Sequence, residues 1–124
     1  MSMSVPSFML KKLYKKGSLR QAPEGLEFTL ENSLSTANLT KLEKVTVDGT
    51  EYGADQVEVV QDGAIKPATD FSSETPLTFA RGAAFTVRIK GLQADATKSH
   101  SVILESTARG MGLLKVEIGD LINA

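Results

Sequence analysis

The chain has 124 residues, with 15 acidic against 14 basic side chains, one histidine and no cysteine. That length makes one domain, and the missing cysteine excludes disulfides, thiolate metal sites and a cysteine nucleophile. A net charge of −1 supplies no overall field to recruit nucleic acid or an anionic membrane. No apolar run nears the roughly 20 residues that span a bilayer. The opening MSMSVPSFML has neither a basic n-region nor a long apolar stretch, so it does not read as a signal peptide, and the expected compartment is the cytoplasm.

In chain order, Val5 to Tyr14 supports two readings. Phe8, Met9 and Leu13 have helical spacings, and Pro6 suits a first turn, but the segment equally suits an extended arm. Residues 1–12 are therefore expected to form an N-terminal arm or a short helical turn on a single domain spanning 1–124. Phe8, Met9, Leu10, Leu13 and Tyr14 put much apolar surface near a terminus, rimmed by Lys11, Lys12, Lys15 and Lys16. Either this surface covers the domain's own core, or it is an interface to another chain or to a second copy. The lysines themselves read as a solvated face.

Leu19 leads to Ala22-Pro23-Glu24-Gly25, where proline's fixed φ and glycine's freedom fit a turn. Leu26, Phe28 and Leu30 then alternate with Glu27, Thr29 and Glu31, predicting a half-buried strand with the second set in water. Further on, Leu42 and Val45 have opposite parity, which a bulge or a break near Glu43 reconciles. Asp48-Gly49 and Asp62-Gly63 are hairpin signals, and Pro67 suits the end of an edge strand. Ala68 to Pro76 reads as a loop pinned by Phe71. Phe85, Val87 and Ile89 mark another strand, and Gly91 to Lys98 a polar connection. Val102-Ile103-Leu104 predicts a strand buried on both faces, Thr107 to Gly112 a turn, and Leu114, Val116 and Ile118 the last strand before a tail from Asp120 to Ala124. About eight short strands without an intervening helix predict an all-β, antiparallel sandwich or jelly roll. Phe28, Phe85, Val87 and Val116 are expected to share its core.

Reactive chemistry is sparse. His100 is the lone histidine, next to Ser101, and reads as a hydrogen-bonded or surface residue. A metal site built on it would need several converging carboxylates, and a serine triad would have no other base. Arg109-Gly110-Met111-Gly112 lacks phosphate-loop spacing and reads as a turn. No catalytic, cofactor-binding or metal-binding residue is assigned.

The segments SVPSFMLKKLYKKGSLR, the Pro-Glu-Gly turn, GLEFTLENSL and the strand ending VDG together resemble the β subunit of bacterial C-glycoside deglycosidases. The similarity is strongest over Val5 to Leu34 and Val45 to Tyr52, and continues as strand pattern only. It implies an accessory β-sandwich subunit beside a larger TIM-barrel α subunit that carries a divalent, manganese-type metal. Such a complex cleaves the carbon–carbon bond between sugar and aromatic aglycone of a 3-oxidised C-glycoside, and no catalytic residue of the family maps onto this chain. A stand-alone carbohydrate-binding or self-assembling β-sandwich is the alternative.

Overall fold

Alternating side chains oblige each strand to find one apolar neighbour layer, and two five-stranded sheets supply it. The computed structural model describes residues 7–122; Val5, Pro6 and the rest of the segment before Ser7 lie outside the described residues. A single helical turn, α1 (Ser7–Leu10), runs into a 3-10 turn over Lys11–Leu13. Ten strands follow: β1 (Arg20–Ala22), β2 (Gly25–Glu31), β3 (Ala37–Val47), β4 (Thr50–Gly53), β5 (Val57–Gln61), β6 (Ala64–Pro67), β7 (Leu77–Phe79), β8 (Ala84–Lys90), β9 (Ser99–Ala108) and β10 (Gly112–Leu121). One sheet has the order β1-β2-β8-β5-β6 and the other β10-β9-β3-β4, with β7 beside the start of β3. Every strand pairing is antiparallel. The expected antiparallel sandwich is present, as one domain with more strands than the eight counted from pattern.

Leu26, Phe28 and Leu30 meet Phe85, Val87 and Ile89 of β8 in register, and face Val45, Val102, Leu104 and Val116 from the other sheet within one core cluster. Phe79 meets Phe85 edge-on, with ring centroids 4.6 Å apart. The turns follow their residue chemistry. Asp48-Gly49 and Asp62-Gly63 adopt positive φ at both positions, the type I′ geometry that matches strand twist. Pro23 and Glu24 close the β1–β2 hairpin, where a Cβ on Gly25 would stand 2.0 Å from the Ile89 carbonyl oxygen. Only glycine fits there. Between Leu42 and Lys44 the pairing of β3 with β9 slips by a residue. This bulge at Glu43 lets both Leu42 and Val45 point inward.

Four expectations are corrected. Ile103 is only half-buried, because β9 alternates like the others and sends Val102 and Leu104 inward. Thr107 and Ala108 belong to β9 and Gly112 to β10, so the turn is shorter than predicted. Asp120 and Leu121 extend β10 instead of starting a tail. Glu27 is not in water but 1% exposed. Arg20, Glu27, Arg88 and Glu58 lie in register across β1, β2, β8 and β5, with alternating charge. Glu27 accepts from Arg20 Nε at 2.9 Å and from Arg88 Nε at 2.6 Å, while Glu24 and Glu58 lie 3.7 Å from Arg88. The long arginine stems cover the carboxylate.

Candidate functional site

Two places hold side chains that a function would need: the cluster around the lone histidine, and the N-terminal turn. His100 opens the inward-facing series of β9 and is 6% exposed. Its Nδ1 lies 2.6 Å from Asp48 Oδ2, and its Nε2 lies 2.6 Å from the Asp95 carbonyl oxygen. Asp48 also accepts from the Ser101 amide at 2.9 Å. The cluster thus joins the distant β3–β4 turn to β9 and to the Gly91–Lys98 connection that leads into it.

The proton positions follow from the partners. A carbonyl oxygen only accepts, so Nε2 donates; an ionised carboxylate only accepts, so Nδ1 donates too. This pairing favours the imidazolium, and the His100 pKa is raised above 6.5 by the bond to Asp48 and then by the bond to the Asp95 carbonyl. The same contact with His100 holds the Asp48 carboxyl below its ordinary 3.8, helped by the Ser101 amide. A histidine with both nitrogens donating to the protein has no lone pair to take a proton from a substrate. The arrangement clasps loops together. Among the described residues no group of three or more histidine, aspartate or glutamate side chains is gathered to hold a metal ion, and no helix is long and apolar enough to cross a membrane.

In the N-terminal turn, Leu10 and Leu13 are buried in the core cluster, Met9 is half-buried, and Phe8 is 66% exposed. Tyr14 anchors the segment. Its hydroxyl donates to Asp120 Oδ2 at 2.7 Å and accepts from the Leu19 amide at 3.0 Å. The Gly17 amide reaches the same carboxylate oxygen at 3.1 Å. Burial, then the bond to Asp120, raises the Tyr14 pKa, and the phenol lowers that of Asp120. The five residues thus share one short segment but not one surface: Leu10 and Leu13 face inward, Met9 is half-buried, Tyr14 is tied to β10 and Phe8 faces out. Asp48 and Asp120 are site residues that sequence pattern missed, because their partners lie 52 and 106 residues away; Asp95, 5 residues from His100, contributes only its backbone carbonyl. The Asp-Gly turn signal named Asp48 without naming its role.

The protein family described as hydroxymethylglutaryl-CoA reductase, N-terminal domain, matches residues 9–123. No curated protein matches the chain. The family match overturns the resemblance to C-glycoside deglycosidase β subunits, and with it the role in carbon–carbon bond cleavage. The segments that carried that resemblance serve general purposes here: Pro23-Glu24 and Asp48-Gly49 close two-residue hairpins, and Leu26, Phe28 and Leu30 fill a core. Unrelated β domains need the same turns and the same alternation, so such segments do not separate families.

Proposed function

Because the chain belongs to the family of the hydroxymethylglutaryl-CoA reductase N-terminal domain, we propose that it is an accessory binding domain. In this reading it associates with the catalytic part of such a reductase, or with copies of itself, and does not carry out the reduction. The observation that carries the proposal is the state of His100: the one imidazole of the chain is spent on Asp48 and the Asp95 carbonyl. Association proceeds through the N-terminal turn. Leu10 and Leu13 root it in the core, Tyr14 ties it to β10, and Phe8 stands out beside exposed Lys11 and Lys12. An aromatic side chain rimmed by charge is the usual composition of an interface anchor.

The test combines assembly with activity. Analytical ultracentrifugation of the chain, alone and with a catalytic reductase unit, is expected to show association that Phe8→Ser removes. The melting temperature should stay put, because an exposed substitution changes stability by about 0.5 kcal/mol or less. The isolated chain should not turn over hydroxymethylglutaryl-CoA. Association that survives Phe8→Ser contradicts the surface, and turnover that disappears in His100→Ala contradicts the accessory role.

A further inference from the structure

A cavity of ≈ 170 Å³ lies between the sheets, at the end where α1, the connection after β2 and the β9–β10 turn come together. Leu13, Leu30, Leu39, Phe85, Leu104 and Val116 form much of its wall, and none of the lining residues is charged. Its buried polar side chains, Asn32 and Ser106, are already committed. The Asn32 amide donates to the Ser35 and Phe79 carbonyls at 3.0 and 2.8 Å, and its oxygen accepts from the Leu34 amide at 2.8 Å. The Ser106 hydroxyl donates to the Lys41 carbonyl at 2.9 Å. Among the described residues no buried side-chain polar atom lacks a partner, so nothing in the wall calls for water or a polar ligand. Folded cores carry few voids larger than a water molecule, and an apolar void of roughly 150 Å³ stays dry and takes up benzene.

We propose that this cavity is a binding pocket for an uncharged hydrocarbon group of about six to eight non-hydrogen atoms, a single ring or a short alkyl chain. Its size sets the class, since pockets for drug-sized ligands run to about 300–1,000 Å³. A nucleotide or a whole coenzyme does not fit; the end of an apolar molecule does. The half-buried lining residues Met9, Leu34 and Met111 mark the mouth. Two methionines there give it an adjustable rim, because the unbranched thioether repacks around different shapes. The small residues Ala37 and Ser106 in the wall leave the space open. The pocket shares α1 with the association surface, but its lining does not include Phe8, so Phe8→Ser tests that surface without altering the pocket wall.

The experiment is methyl NMR of the full chain, titrated separately with toluene, n-hexane and benzoate. Toluene or hexane should shift the Met9 and Met111 methyl resonances saturably, with a dissociation constant of about 1 mM or tighter. Toluene against hexane tells whether ring or chain is preferred. Benzoate should bind at least tenfold more weakly, because the wall offers its charge no partner. Ala37→Leu fills the space and should abolish the shifts while the chain still melts cooperatively. Should that variant fail to fold, Leu34→Phe at the half-buried mouth should weaken binding at least tenfold. Shifts that are absent in the full chain, spread evenly over it, or unchanged in the filled variant overturn the proposal.

Discussion

The two ends of the sandwich are built on opposite terms. At one end the Gly91–Lys98 connection crosses from β8 to β9 and is held by polar bonds at several points. Gln21 donates to the Leu92 carbonyl at 2.8 Å and accepts from the Ala94 amide at 2.9 Å; His100 then binds the Asp95 carbonyl and Asp48. At the other end an uncharged wall surrounds unfilled space, and the only amide there, Asn32, is satisfied by backbone. Around His100 the polar groups are spent on one another, whereas the cavity at the other end has an uncharged wall. A reaction needs free polar groups and room in one place, whereas binding needs only shape and an apolar wall.

The comparison breaks first in the shared core. Phe28, fully buried between the sheets, serves both ends, and Phe28→Ala should cost about 3–5 kcal/mol in denaturant unfolding. A cost below about 1 kcal/mol would mean that β2 faces the other way. Next is the charged ladder on the outer face. Glu27→Gln leaves Arg20 and Arg88 without their buried partner, a change worth about 2–4 kcal/mol where nearby carboxylates soften it, as Glu24 and Glu58 do here. Burial alone would raise the Glu27 pKa, but the bonds to Arg88 and Arg20 outweigh it and hold the value below 4.5. Its contribution is therefore present above pH 4.5 and lost as pH falls through the lowered value. Unfolding curves of Glu27→Gln should lack that part of the acid sensitivity.

The smallest effect is expected at the anchor of the N-terminal turn. Tyr14→Phe removes the bonds to Asp120 and Leu19, at about 1–2 kcal/mol for two hydrogen bonds of which one is to a charged group. Hydrogen exchange should quicken at the Leu19 and Gly17 amides and in Lys11–Leu13. Unchanged exchange there would show that Tyr14 does not anchor the turn.

The strands were legible because alternation and turn chemistry are local. The Asp-Gly pairs, Pro67 and the parity break at Leu42 and Val45 each placed an element correctly, the last through a bulge at Glu43. Burial on the outer face was not legible. Alternation says which way Glu27 points, but only the registers of β1 and β8, set 7 and 61 residues away, bring two arginines over it. Ile103 was misjudged for the converse reason: three apolar residues in a row do not show whether anything covers the second face. The His100 clasp needed contacts across 52 residues, and an empty space between sheets has no signature in any one segment. Family membership failed on the same ground, since hairpin and core segments look alike in unrelated β domains.

The division between the ends rests most directly on His100. As the only histidine of the chain, its ring nitrogens can be followed by nitrogen NMR across pH without ambiguity. The clasp predicts that both nitrogens are protonated at pH 6.5, with a midpoint above that ordinary value, because Asp48 and the Asp95 carbonyl accept from the charged form. Its share of stability is then full below pH 6.5 and fades as pH rises through the raised midpoint; on the acid side Asp48 withdraws its share as pH falls through its lowered value. His100→Asn should flatten that alkaline loss in thermal melts. A midpoint at or below 6.5, with one nitrogen unprotonated at neutral pH, would free the imidazole to act as a base and contradict the account.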